Sequence, residues 1–144
     1  MTTLLDANVL FALGWSHHTH HRAANIWFDS RSAEPWATCL ITQSAFLRLS
    51  LNQHAMNAEV SVADAMAVLR SLVAHPSHVY LGQETPLTDG SFGILAGRLT
   101  GYRQVTDATL LHIAAHHGAS LATFDRAIEQ LSLERGNVKI LPTK

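Results

Sequence analysis

Three aspartates in this 144-residue chain stand where residue type and spacing suggest chemistry: Asp6, Asp107 and Asp125. Asp107 opens a helix read in RQVTDATLLHIAAHH, and Asp125 closes the short strand LATF that follows a Gly turn. Indexed at about 100° per residue, Asp107 shares a stripe with Leu110, Leu111, Ala114 and Ala115. A carboxylate in the first turn suits the helix dipole, but on an apolar face it loses water and needs a partner. Asp6 ends the N-terminal run TTLLD and supplies a third acid. Three carboxylates gathered closely cannot all stay ionised unless a cation compensates them. An oxygen-only donor set with no Cys or His selects a hard ion, Mg²⁺ or Mn²⁺. Such a site suits phosphoryl chemistry: one metal activates a water, and a second can steady a leaving oxygen. Asn8 and Thr106, close to two of the acids in sequence, could orient waters or a phosphate, or simply cap helices. Taken singly, each aspartate reads as a helix N-cap; three at matching strand ends favour the metal site.

The elements that must position these acids alternate. TTLLD is a strand and ANVLFAL a helical turn or two; a second helix runs from about His18. WATCLI, a continuous apolar run, reads as a buried parallel strand. Thr42 is the expected N-cap of the helix QSAFLRLSLN, which turns Phe46 and Leu49 inward. Residues 61–74 form an amphipathic helix started by Ser61, with Val62, Ala65, Met66, Leu69, Leu72 and Val73 as its stripe. HVYLG is a third strand, QETPLTDG a loop and SFGILAGRLTG a weak helix, because Gly93 and Gly97 each cost about 1 kcal/mol relative to Ala. After the unit carrying Asp107 and Asp125 come a short helix near RAIEQL, a turn at 135–137 and a last strand, VKIL. The alternation predicts one domain over residues 1–144, an α/β fold with a central parallel sheet, right-handed crossovers and helices on both faces. Ligands in such folds bind at the carboxyl ends of the strands near a switch in strand order. Asp6, Asp107 and Asp125 can therefore share one rim.

Composition narrows the class. The chain is 47% hydrophobic and 15% charged, which is globular. Its net charge of −1 gives no bulk basic field for holding nucleic acid. Eight of the ten basic residues are Arg, the side chain suited to bidentate phosphate contacts. Cys39 is the single cysteine, so no intrachain disulfide forms and a reducing cytoplasm fits. Its place in WATCLI makes it a core filler. No apolar run approaches the ~20 residues of a membrane span. His17 and His21, four apart, have metal-ligand spacing but read better as exposed imidazoles at a helix start. His112 and His116 point away from the acid stripe and read as solvated.

LLDANVL at 4–10, WATCLITQSAFLRL at 36–49 and RQVTDATLLHIAAHHGASLATFD at 103–125 together resemble a PIN-domain ribonuclease. More narrowly, they resemble the VapC toxins of bacterial toxin–antitoxin pairs. The resemblance implies a three-layer α/β/α sandwich and Mg²⁺- or Mn²⁺-dependent cleavage of RNA, often tRNA or ribosomal RNA. It also implies a homodimer, a small VapB-like antitoxin, and promoter DNA bound only through that antitoxin. Carried over, the family's first, third and fourth acids are Asp6, Asp107 and Asp125. The second, usually a glutamate opening the helix after strand two, aligns with Gln43, which brings a carbonyl oxygen but no charge. The expectation is one metal held mainly by Asp6 and Asp107 with Asp125 close by. Arg48, one turn beyond Gln43, is placed to contact RNA or an acid of the site, or else faces solvent.

Two other classes compete. A degenerate PIN module would bind RNA or an antitoxin without cutting, and Gln43 supports it. A Mg²⁺-dependent phosphohydrolase of the haloacid-dehalogenase type would need a second Asp two residues after the first, where this chain has Asn8. A receiver domain would need a Lys after its last strand, whereas Lys139 lies inside one.

Overall fold

Leu4 and Leu5 are neighbours in sequence that bury their side chains in two different cores. Trp36 and Ala37 divide in the same way, as do Leu121 and Ala122. The two-residue period of a pleated strand, with both faces covered, accounts for the split. The computed structural model describes residues 1–82, 85–132, 134 and 136–143. Its strands are β1 (Thr3–Leu5), β2 (Trp36–Thr38), β3 (His78–Tyr80), β4 (Ser120–Thr123) and β5 (Val138–Ile140). They form one parallel sheet in the order β3-β2-β1-β4-β5. The three central strands are buried throughout, while β3 and β5 at the edges are partly exposed.

Helices α1 (Ala7–Gly14), α2 (His21–Asp29), α3 (Leu40–Ser50), α4 (Gln53–Met56) and α5 (Val62–Val73) lie in the two connections that step from β1 through β2 to β3. Their apolar residues share one core with Leu5, Trp36 and Ala122. Helices α6 (Gly93–Gly97) and α7 (Val105–His116) lie in the connection that returns across the sheet to β4, and they cover the other face with Leu4, Ala37 and Leu121. Right-handed crossovers require this change of face when the strand order reverses. The three-layer α/β/α sandwich expected from the sequence is the fold observed.

Several boundaries differ from the sequence reading, each for a physical reason. WATCLI is not one strand: β2 stops at Thr38 and α3 begins at Leu40. Cys39, fully buried, takes the N-cap position, and Thr42 lies inside the first turn, its hydroxyl accepting from the Cys39 backbone N–H at 3.0 Å. The inward residues of α3 are Phe46 and Ala45, with Leu49 only partly buried. Ser61 does cap α5, accepting from the Asp64 N–H at 3.0 Å. Val62 is 61% exposed, however, because the buried stripe runs through Ala65 and Leu69. The weak helix at 91–101 breaks into a 3-10 turn (Gly90–Phe92) and the five-residue α6. The element near RAIEQL is a 3-10 helix, Arg126–Gln130. Of the expected loop at 83–90 and turn at 135–137, Gln83, Glu84 and Arg135 lie outside the described residues.

Helix α7 ends in a Schellman motif. Gly118 takes φ +65°, its N–H donates to the Ala115 carbonyl at 3.1 Å, and the Ala119 N–H donates to the Ala114 carbonyl at 2.8 Å. A Cβ at Gly118 would meet no atom within 4 Å, so its cost is conformational only. Gly118→Ala should lower stability by about 1 kcal/mol, seen as a reduced urea midpoint with unchanged slope. An unshifted midpoint would show that the turn tolerates a left-handed alanine.

Candidate functional site

Strand order reverses between β1 and β4, so a crevice opens beyond their carboxyl ends. Asp6 follows β1 directly and caps α1, one carboxylate oxygen accepting from the Ala7 N–H at 2.7 Å. Asp125, two residues past β4, caps the 3-10 helix by accepting from the Ala127 N–H at 2.9 Å. Asp107 lies in the first turn of α7, the helix leading back into β4. Asp6 and Asp125 are the N-caps that their positions taken singly suggested, whereas Asp107 lies inside the first turn of α7, whose N-cap position Gln104 holds. The fold nonetheless brings all three to the same rim.

Their electrostatics show that they sense one another. Burial pushes the Asp6 carboxyl above the ordinary value of 3.8, opposed by hydrogen bonds from Thr123 and Ala7, with the Asp125 charge raising it further. Asp107 is pushed up to about 6, chiefly by burial, then by the charges of Asp6 and Asp125. No group among the described residues donates a hydrogen bond to the Asp107 carboxylate, so only water or a cation can offset its lost hydration. Among the described residues, no three His, Cys, Asp or Glu side chains already converge into a ligand set. Both oxygens of Asp6 keep a lone pair beyond their single hydrogen bond, and the donors are oxygen only. In donor type, though not as a converged set, these oxygens are the kind that hard divalent cations take.

Thr123, the last residue of β4, joins the site together, and sequence reasoning missed it. Its hydroxyl donates to the second Asp6 oxygen at 2.7 Å and accepts from the Asn8 side-chain amide at 3.2 Å and from the Asp125 N–H at 3.0 Å. Asn8 also accepts from the Phe124 N–H at 3.3 Å, clamping α1 onto the end of β4. Asn8 is thus a positioning residue rather than a free hand for water or phosphate. A threonine in LATFD reads as a strand former, and only the pairing of β1 with β4 reveals its second task.

Gln43 sits in the first turns of α3, half-buried, and donates through Nε2 to the Thr38 hydroxyl at 3.0 Å. No hydrogen bond joins it to the acids. Thr106 is exposed on α7 and caps nothing, since Gln104 holds the N-cap position there without a side-chain bond. Arg48 is exposed in the last turn of α3. Among the described residues the one ion pair joins Arg31 and Glu34 at 3.5 Å, so Arg48 binds no acid of the site.

The reading of two solvated histidines holds for His116, which is exposed, and needs correction for His112. His112 is 3% exposed, its ring edge-on to Phe92 with centroids 5.2 Å apart, and its Nε2 lies 3.1 Å from the Thr85 carbonyl. His116 Nδ1 lies 2.7 Å from the Thr85 hydroxyl. Both tie α7 to the loop after β3, which folds over a face that helical indexing had left open. Ala115, assigned to the apolar stripe, is exposed. Six residues of α7 are buried, five of them consecutive from Leu110 to Ala114, so the helix is enclosed on most sides rather than along one stripe. His21 bonds the Ala12 carbonyl at 2.8 Å, a structural contact between α2 and α1.

Residues 3–133 match the PIN domain family. The chain is 40% identical over 141 residues to ribonuclease VapC39 of Mycobacterium tuberculosis, an alignment spanning 98% of this chain and 100% of that protein. It is 39% identical over 132 residues to ribonuclease VapC38 of the same species, spanning 92% and 91%. Among solved structures, VapBC2 from Rickettsia felis bound to a DNA fragment from its promoter has a similar fold. The TM-score is 0.59 at 10% identity, covering 99% of this chain and 100% of that one.

Proposed function

The chain belongs to the PIN-domain family and, within it, to the VapC ribonucleases, and from that premise we propose that it is the metal-dependent endoribonuclease toxin of a type II toxin–antitoxin pair. The observation that carries the metal dependence is the half-buried Asp107, which has no hydrogen-bond donor among the described residues and is raised to about 6 by burial and by Asp6 and Asp125. Three carboxylates set this way create a deficit of positive charge at one point on the rim.

Asp6, Asp107 and Asp125 would hold Mg²⁺ or Mn²⁺. A divalent ion there supplies Lewis-acid activation of an attacking water and neutralises charge developing on the phosphodiester. Asp6 is the fixed member, held at both oxygens by Ala7 and Thr123. Asp107, without a donor among the described residues, would turn toward the cation. Asp125 is steered by the Ala127 N–H, and its own N–H is held by Thr123, so one hydroxyl sets two of the acids. No helix among the described residues is long and apolar enough to cross a membrane. With a net charge of −1, the chain would grip RNA through the cation and local contacts rather than a broad basic field. The expected substrate is structured RNA, tRNA or ribosomal RNA. The expected partners are a VapB-like antitoxin, through which alone promoter DNA is bound, and a second copy of the chain.

Incubating the purified chain with total RNA and Mg²⁺ should give discrete fragments. These should vanish with EDTA and in Asp6→Asn, then return when Mn²⁺ is added in excess to the EDTA sample. Fragments that persist identically in every lane would mark a contaminating nuclease and sink the assignment. Binding of RNA or antitoxin with no fragments would favour a PIN module that does not cut.

A further inference from the structure

Phe124 stands between Thr123, which bonds Asp6, and Asp125, and its ring carries a second ring. Its N–H donates to Asn8 Oδ1, and the Asn8 amide donates in turn to the Thr123 hydroxyl. Phe124 thus belongs to the rim by hydrogen bonds as well as by sequence. The His20 ring lies on it with centroids 5.0 Å apart and 33° between the planes, and both side chains are partly exposed. His20 is held from behind. Its N–H donates to His18 Nδ1 at 3.0 Å, and its carbonyl accepts from the Ala24 N–H at 2.9 Å to open α2. The His18 ring sits edge-on against buried Phe11, centroids 5.4 Å apart. An accepting Nδ1 carries no proton, and burial, then His20, His17 and His21, keeps the His18 pKa below the usual 6.5. Four histidines in five positions suggest a metal cluster, but no three His, Cys, Asp or Glu side chains converge among the described residues. The His20 ring makes no capping bond either. It is left as a π surface at the edge of the rim.

We propose that His20 and Phe124 form a stacking platform for an unpaired base of the RNA, beside the acids that act on its backbone. The proposal rests on the ribonuclease reading above and supplies that site with a hold on its substrate. A chain of net charge −1, with three carboxylates on the rim, has little field with which to attract phosphates. Stacking of a base on an aromatic ring needs no such field. The bonds to His18 and Ala24 fix the segment before RNA arrives, so little ordering cost falls on binding. A base inside a duplex is already stacked on both sides and offers no face, so the platform favours unpaired segments of a structured RNA. Every base has a π face, so it selects for strandedness rather than for one base.

The test is a titration in EDTA, where neither metal binding nor cutting enters. The probe is a single-stranded oligouridylate carrying one fluorescent adenine analogue, whose emission falls when it stacks. The wild-type chain should bind this strand and quench it, and should bind the same strand annealed to its complement about tenfold more weakly. His20→Ala should weaken binding about tenfold and remove most of the quench. His20→Phe keeps a ring and should stay within about twofold of wild type. Phe124→Leu keeps apolar bulk against the core and should weaken binding in the same direction as His20→Ala. Wild-type affinity and quench in His20→Ala would overturn the proposal, as would a strand that the wild-type chain leaves free. Equal binding of paired and unpaired RNA would also overturn it, and so would a loss in His20→Phe as large as that in His20→Ala. A chain that binds the strand through His20 yet cuts no RNA when Mg²⁺ is added would sink the nuclease reading and leave the platform standing. Cutting by a chain whose binding ignores His20→Ala would do the reverse.

Discussion

Asp107→Asn should abolish RNA cleavage and, at neutral pH without divalent metal, raise the melting temperature. The two effects share one cause. Asp107 is held where its charge is costly, with a folded pKa of about 6 against an ordinary 3.8. The folded chain therefore binds an extra proton between those values, and stability falls as pH rises from about 4 to about 6. Above that window the ionised carboxylate destabilises the fold in full; below about 4 it no longer does. The shift corresponds nominally to about 3 kcal/mol, but the side chain is only half-buried, so solvent screening reduces it to about 1.5 kcal/mol. In a domain of this size that is roughly 5 °C in melting temperature. Calorimetry of Asp107→Asn should show this gain at pH 7.5 and little of it at pH 4. Saturating Mg²⁺ should reverse the order, because only the wild-type chain then gains binding energy, about 2.7 kcal/mol at a hundred times Kd. Cleavage should fall roughly a thousandfold, as when a charge-stabilising group is removed from other active sites. An Asp107→Asn chain that cuts at the wild-type rate, or melts lower than wild type at pH 7.5, would show that this carboxylate is structural.

Thr123→Val should lose stability and activity together, the reverse of Asp107→Asn. The substitution keeps shape but removes the hydroxyl that donates to Asp6 at 2.7 Å and accepts from Asn8 and from the Asp125 N–H. Thr123 is fully buried, so the orphaned groups regain little water. Leaving such groups unpaired costs about 1–3 kcal/mol. Asp6 also loses the strongest influence lowering its pKa and moves further up. Cleavage should drop about 10–100-fold, the usual effect of losing a hydrogen bond that orients a ligand. Thr123→Ser should recover most of both. Urea unfolding alongside initial cleavage rates would test the pair, and wild-type rates in Thr123→Val would remove this residue from the site.

The three acids were legible in the sequence because each marks a strand end or helix start, and parallel α/β topology turns those marks into a shared rim. The rest was hidden for definite reasons. An apolar run crossing from a buried strand into a buried helix carries no period to mark the change, so the start of α3 slipped past Cys39. Helical indexing finds faces within a helix but not the loop that lands on one. His112 therefore looked solvated until Thr85 and Phe92 closed over it. Val62 fits an apolar stripe by spacing, yet it lies at the first residue of α5, where the helix has not yet met the core. Thr38 and Thr123 are ordinary strand residues by composition. Their hydroxyls reach His78 on β3 and Asp6 at the end of β1, contacts that no single-strand pattern encodes.

The pairing of β1 with β4 also has a kinetic consequence. Thr3 contacts Ser120, and Asp6 contacts Thr123, each pair 117 positions apart in sequence. Contacts so remote in sequence form late and slow the folding of the elements they join. At a synthesis rate of about 5–20 residues per second, Asp6 leaves the peptidyl-transferase centre on the order of ten seconds before Thr123 is made. Through that interval a nascent chain can build β1, β2 and their helices but not the acid rim. For the nuclease proposed above, the sheet order would keep the growing polypeptide harmless to the very RNA that surrounds it on the ribosome until nearly all of it has been made.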